Sequence, residues 1–348
     1  MKKIIIERPG GYRQLKIKEF PAPAPEAHEV LIAVSAAGVN FADVFIRMGL
    51  YKSAREFVGW PITPGFEFAG TVLQCGAQIN DLAAGTPVFG LTRFGAYSQQ
   101  VCVPRHQVFS ISPDSKLTLD EWAAFPTVFL TAYHGLFHNF VLRPQMEILV
   151  HSAAGGVGSA LLQLGRLANC RMIGVVGARH KVESARAFGA DVVIDKSRED
   201  LWARAKAICP AGFDVVFDGN GPSTLKQSYQ HLAPMGKLVT YGFHSILPKG
   251  GGFPNYLKLA LGYFRIPRWN PLHMTNANKS IIAFNLSYLF NRRDLLQEAM
   301  EALLNWVAEG KVKPPVAQRF PFEKVADAHR AIASGATTGK LILKFPGD

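Results

Sequence analysis

Between Glu147 and Gly242 short apolar runs alternate with segments of helical spacing, and this rhythm restricts the fold more than any other feature of the chain. EILVHS, RMIGVVG, DVVID, FDVVFDG and KLVTYG read as strands, while GVGSALLQLGRLA, HKVESARAFG, REDLWARAKAI and STLKQSYQHLA read as the helices between them. SIIAFNLSYL, from Ser280, reads as a sixth strand. Runs that are apolar throughout suit strands buried on both faces. Alternation with short connections predicts an α/β fold with a doubly wound parallel sheet.

The first strand leads into VHSAAGGVGSA, residues 150 to 160. Against the pattern G-x-G-x-x-G this is Ala153-x-Gly155-x-x-Gly158, placed between a strand and a helix as a Rossmann dinucleotide turn requires. Gly155 allows backbone to approach a pyrophosphate, Gly158 allows the helix to approach the strand, and the helix N-terminus offers N–H groups to the phosphates. Ala154 through Gly158 are therefore candidate cofactor contacts, with Ala154, Gly156 and Val157 completing the turn.

The second strand ends at Gly177, where a carboxylate would hold an unmodified adenosine ribose. None is present, and Arg179, His180 and Lys181 follow. Cations without a carboxylate suit a 2′-phosphate, so the expected dinucleotide is NADP(H), with Gly177, Arg179 and Lys181 at its adenosine end.

The residues before Pro113 are strand-rich: KKIIIE and LKIKEF flank a PGGYR turn, and EVLIAVSAAGV, EFAGTVLQCG, TPVFGL and AYSQQVCVP follow. Short strands punctuated by Gly and Pro predict a partly closed β-barrel. After the nucleotide unit come an amphipathic helix (DLLQEAMEALLNWVAEG), a second helix (EKVADAHRAIAS) and the strand GKLILKF, which are too few for a domain and are expected to pack on the barrel. The expected division is 1–123 with 291–348, around a nucleotide-binding unit at 124–290. A chain of 348 residues is long enough for two cores.

The formal charge of +12 is compatible with nucleic acid, an anionic surface or a phosphate-bearing cofactor. No RNP, KH or zinc-finger pattern accompanies it, which argues against nucleic acid. Cys75, Cys102, Cys170 and Cys209 form no CxxC pair. With no signal-peptide core and no long apolar run, a cytoplasmic location is expected.

GVNFADVFIRMGLY (38–51), PGFEFAGTV (64–72), AAGGVG (153–158) and the order of the two units resemble the medium-chain dehydrogenase/reductase superfamily, whose first domain is a GroES-like barrel. Zinc alcohol dehydrogenases of that superfamily place a cysteine ligand where this chain has Asn40, and a GHE histidine where it has Phe66. An amide and a phenyl ring are no substitute for thiolate and imidazole, so no metal is expected. The pattern instead resembles the zinc-free quinone oxidoreductase (zeta-crystallin) branch. APMGKLVTYG (233–242), WNPLHMTNANKSIIAFNLSYL (269–289) and FPFEKVADA (320–328) are similar to the vesicle amine transport protein homologues within it.

The resemblance implies NADPH-dependent reduction of quinones or activated alkenes (enones) by a homodimer joined through its nucleotide-domain sheets. It places Asn40 at the nicotinamide and Phe45 where the family usually has tyrosine, with Tyr51 able to supply a phenol to the same pocket. It puts Thr131, Tyr241, Gly242, Phe243, Phe284 and Asn285 at the nicotinamide end, and Lys196 at the adenosine end. Asp218 ends the fourth strand beside the crevice, in either a cofactor or a structural role.

Residues 244–275 form a long connection in which NYLKLALGYF has helical character. Its aromatic and basic residues, Lys249 and Phe253 among them, suit either a peripheral membrane contact through 250–270 or a lid packed on the protein. A nucleotide-binding, membrane- or vesicle-associated protein with little turnover is the alternative to an enzyme.

Overall fold

The computed structural model of the chain describes residues 1–247, 252 and 256–346; Lys249 and Phe253 lie outside the described residues. Six parallel strands form one sheet, in the spatial order Val192–Asp195, Arg171–Val176, Glu147–Val150, Phe213–Asp218, Leu232–Thr240 and Ser280–Ala283. In chain order this is 3-2-1-4-5-6, the Rossmann arrangement. The direction of growth reverses between Glu147–Val150 and Phe213–Asp218, which leaves a crevice beyond their carboxyl ends. Ile148, Leu149, Val150, Ile173, Val175, Val215, Val216 and Phe217 are all buried, as continuous apolar runs require.

The other large sheet has the order Val316–Pro321, Lys340–Lys344, Glu29–Val39, Glu67–Cys75, Pro87–Leu91 and Val108–Ser110, with Gln100–Pro104 paired to Glu29–Val39 as well. Glu29–Val39 serves three partners, and its pairing with Glu67–Cys75 shifts register between Leu31 and Ile32 and between Val34 and Ala36. Such bulges re-aim a strand and help a sheet close on itself. Lys340–Lys344 runs antiparallel to Glu29–Val39, pairing Leu341 with Val39 and Lys344 with Ala36. Leu341, Leu343, Phe322 and Val325 from the C-terminal segment share one buried cluster with Ile32, Phe68 and Val88 from the N-terminal one. The last strand and its preceding helix thus complete the barrel, whereas the helix Arg293–Ala308, also expected there, packs on Pro126–Tyr133 instead, with Trp306 against Tyr133 and Phe137.

Two local expectations differ. The run SIIAFNLSYL holds a strand only over Ser280–Ala283, so Phe284 and Asn285 lie just past its end rather than within it. Asn285 stops the strand because its side chain accepts the Ser287 N–H and caps the 3-10 helix Leu286–Asn291. The connection before it holds two helices, Tyr256–Phe264 and Pro271–Ala277. Asn270 starts the second by accepting the Leu272 N–H at 2.9 Å, with Pro271 at its first position. The helix Pro126–Tyr133 continues as a π-turn, His134–His138.

Candidate functional site

The helix Gly156–Leu167 begins where the Glu147–Val150 strand turns at the switch point. Its N-cap, Gly155, brings no capping side chain, so the N–H groups of Gly156, Val157 and Gly158 face outward without an intrahelical acceptor. A methyl group on Gly158 would lie 2.3 Å from the Ser152 carbonyl oxygen and 2.8 Å from the Ala153 Cα, so helix and strand meet there only because the side chain is missing. Ala153 replaces the first glycine of the pattern without harm, since its methyl packs over Gly174 of the neighbouring strand.

This turn forms the middle of a cleft of about 870 Å³ between the two lobes. Ala154 through Gly158 line it, as do Gly177, Lys181 and Lys196 at one end. Lys181 Nζ donates to the Gly335 carbonyl at 2.5 Å, and His180 Nε2 lies 2.9 Å from the Ala336 oxygen. Burial, aided by the nearby charge of Lys196, pulls the Lys181 ammonium below its ordinary value. Two neighbouring ammonium groups with no carboxylate at Gly177 form a pocket that a phosphate would relieve. The residues fit an NADP(H) adenosine phosphate.

Arg179 does not share that wall. It is exposed, and its charge is felt by Asp195 instead. Arg179–Lys181 is a 3-10 turn, with three residues per turn, so positions 179 and 181 point to different sides. Lys181 faces the cleft and Arg179 does not.

Asn40, Phe45, Tyr51, Thr131, Tyr241, Gly242, Phe243, Phe284 and Asn285 line the opposite end, so of the sequence-derived candidates all but Arg179 and Asp218 line this one cleft. Tyr51 Oη donates to Asn285 Oδ1 at 3.0 Å and lies 2.9 Å from Ser287 Oγ, a link between the lobes. Burial raises its pKa, so the phenol keeps its proton at neutral pH. Thr131 Oγ1 donates to the Thr127 carbonyl at 2.6 Å, which leaves its lone pairs to the cleft. Phe45, Phe66, Phe284 and Phe290 make this end apolar.

Asp218 has the structural role. Its Oδ1 accepts the Asn220 and Gly221 N–H groups and its Oδ2 accepts the Ser228 hydroxyl, all out of water. Among the described residues no three His, Cys, Asp or Glu side chains are grouped to hold a metal.

Sequence reasoning missed three polar residues at this end, of which Lys340 and His244 line the cleft while Glu67 is fully buried. Lys340 reaches Asn40 from the far end of the chain, and Glu67, seen only as part of a triplet, pairs with it. His244 lies against Phe41, with ring centroids 4.1 Å apart, and burial pushes its pKa down to about 4. Only the third has a local signal, its position after the Tyr241-Gly242-Phe243 strand end.

Asp43 supports this end from below. Its carboxylate accepts the Asn40 and Gly65 N–H groups and the Tyr97 hydroxyl, at 2.8, 2.9 and 2.9 Å. Complete burial outweighs these bonds and pushes its pKa from 3.8 up to about 6. The folded state therefore holds this proton more tightly than the unfolded chain. The resulting stabilisation is full below pH 3.8 and is lost as pH rises through about 6. Asp43→Asn is expected to flatten the fall in stability between about pH 4 and 6.5 by on the order of 2 kcal/mol, read by denaturant unfolding. An unchanged slope would assign the fall to other groups.

Comparison with known proteins bears on this architecture. A family model described as alcohol dehydrogenase GroES-like domain matches residues 26–113, and one described as zinc-binding dehydrogenase matches 188–343. A synaptic vesicle membrane protein VAT-1 homolog from Rattus norvegicus is 38% identical over 341 residues, covering 97% of this chain and 82% of the relative. The chain belongs to the medium-chain dehydrogenase/reductase superfamily, among the VAT-1 homologues. Solved members share its shape. Human VAT-1 homolog-like protein superposes with a TM-score of 0.83 at 29% identity, covering 100% of this chain and 99% of that one. Escherichia coli quinone oxidoreductase complexed with NADPH superposes with a TM-score of 0.86 at 28% identity, covering 99% and 100%. As a medium-chain dehydrogenase/reductase with a phosphate-suited lysine pair in its Rossmann crevice, the chain is an oxidoreductase of the NADP(H) type.

Proposed function

We propose that this member reduces quinones or enones with NADPH and without zinc. The observation that carries the reading is one continuous cleft, running from Lys181 and Lys196 past the glycine turn to an apolar chamber at Asn40 and Tyr51. NADPH, when bound, supplies a hydride from C4 of its nicotinamide. Lys181 and Lys196 hold the adenosine phosphate, and the N–H groups of Gly156–Gly158 hold the pyrophosphate. Thr131, Tyr241, Gly242, Phe243, Phe284 and Asn285 border the nicotinamide. Phe45, Phe66 and Phe290 exclude water and align a flat acceptor. Hydride and one proton together convert a quinone to a hydroquinone or an enone to a saturated ketone. Tyr51 or water delivers the proton, because a phenolate and a developing enolate are bases of comparable strength.

Domain limits of 1–123 with 291–348 and of 124–290 follow the same reading, as does a cytoplasmic homodimer. The outermost strand of the parallel sheet, Ser280–Ala283, supports dimerisation, since its outer edge pairs with no strand among the described residues. Among those residues no helix is long and apolar enough to cross a membrane.

The test is NADPH oxidation by chelator-treated protein against a panel of quinones and enones, with NADH as control. Turnover that survives chelation and favours NADPH supports the reading. Loss on chelation that zinc restores overturns its metal-free part. NADPH bound but not consumed shifts the weight to a peripheral membrane protein. For that second reading Leu257, Leu261 and Phe264, between 51% and 75% exposed on one face of Tyr256–Phe264, are the supporting observation.

A further inference from the structure

Lys340 opens the last strand of the barrel, yet it sits between the two working ends of the cleft. The residue before it, Gly339, donates its N–H to the Ala154 carbonyl at 2.7 Å and bridges Gly155, so this strand starts on the phosphate turn. The Lys340 alkyl chain then passes Gly156, where an added methyl would lie 3.6 Å from Lys340 Cδ. Its ammonium ends 2.5 Å from both Glu67 Oε1 and Asn40 Oδ1. Lys340 is 3% exposed and Glu67 fully buried.

A lone ammonium so placed would be costly, and Glu67 neutralises it. The same carboxylate accepts Asn40 Nδ2–H at 2.9 Å and the Thr127 N–H at 2.8 Å, and Thr127 lies one helical turn before Thr131. The amide of Asn40 is therefore gripped by opposite charges, ammonium on its oxygen and carboxylate on its nitrogen. A flip of that amide would put its NH₂ group against the ammonium and its oxygen against the carboxylate, so only one orientation is allowed. An amide whose oxygen accepts from an ammonium is also a better N–H donor, because hydrogen bonds in a chain polarise one another.

We propose that Lys340, with Glu67, is a positioning residue for hydride transfer: it fixes and polarises the Asn40 amide at the reacting centre and ties that amide to the phosphate turn. The inference rests on the hydride-transfer reading of the cleft. A pair that served packing alone would have no bearing on the reacting centre, because buried ion pairs replaced on both sides by neutral groups of similar volume are often neutral in stability.

That difference supplies the test, using Lys340→Met and the double variant Lys340→Met with Glu67→Gln. Removing only the ammonium leaves a buried carboxylate unpaired and is expected to lower stability. The double variant is expected to recover that stability while kcat stays about 30- to 100-fold below wild type and acceptor KM moves by less than about threefold. Affinity for 2′-AMP, which reports on the Lys181 end alone, is expected to stay at the wild-type value in both variants. The emission of bound NADPH, which reports on the nicotinamide, is expected to change in both. A double variant with wild-type kcat and wild-type bound-NADPH emission overturns the proposal, and so does equal loss of 2′-AMP and NADPH affinity. If wild type itself reduces no acceptor, the hydride-transfer reading fails, and the emission and 2′-AMP measurements still decide whether Lys340 sets the nicotinamide end.

Discussion

Replacing Lys181 and Lys196 together by alanine is expected to lower NADPH affinity by about 100- to 1,000-fold while NADH affinity moves by less than about threefold. Each ammonium would contribute a charge-assisted bond to the 2′-phosphate, and NADH has no such group. At about 1.5–3 kcal/mol for each such bond, and with exposure at Lys196 keeping the total near the lower end, the sum corresponds to that range. Part of the Lys181 contribution replaces its present bond to the Gly335 carbonyl, so the Lys181 single variant is expected to lose less than one full charge-assisted bond. Calorimetric titration of both dinucleotides against the four proteins measures this directly. Equal loss of NADPH and NADH would mean that the lysines hold the shape of the cleft and do not read the phosphate. The single Arg179→Ala variant is expected to change little, since its side chain is outside the wall.

The second large effect belongs to Gly158. A Cβ there meets backbone on two sides, the Ser152 oxygen at 2.3 Å and the Ala153 Cα at 2.8 Å, and backbone does not swing away as a side chain does. Gly158→Ala is expected to cost about 2–4 kcal/mol, or roughly 3–6 °C in unfolding temperature for a chain of this size. Gly158→Val is expected to abolish NADPH binding at temperatures where the protein is still folded, because the helix N-terminus must back away from the strand. By contrast, a Cβ on Gly177 meets only Lys196 Cε, at 3.6 Å, so Gly177→Ala is expected to be tolerated by the fold. Thermal unfolding with and without NADPH separates the two sites. A Gly158→Ala protein as stable as wild type would show that the helix and strand are not held at this distance.

The parallel sheet was legible because its inner strands are buried on both faces and carry no polar alternation to confuse with a helix. The glycine turn was legible because its steric demands fall on consecutive residues. Closing of the barrel by the tail could be foreseen only from the tail being too small to stand alone; the register, Leu341 on Val39, has no local signal. Asn270-Pro271 and Asn285 were readable helix starts inside apolar stretches, and periodicity alone hid them.

The contents of the cleft were legible to a different degree. Motif positions such as Asn40 and Thr131 all converge on it, whereas Arg179 was separated from Lys181 by the three-residue period of a single 3-10 turn. Lys340 was invisible. Its partners Glu67 and Asn40 are on the other side of the sequence, and a lysine before LILKF looks like the polar edge of any strand. Charge pairs formed by tertiary contact leave no mark on either local segment.

The most direct measurement is the transfer of deuterium from 4-deuterated NADPH, in each stereochemical form, to an enone incubated with chelator-treated protein. The account requires deuterium at the β-carbon of the saturated product from one form only, with a slowed rate for that form. NADPH that binds with the lysine-dependent affinity yet passes no deuterium to any enone and is oxidised by no quinone would contradict it.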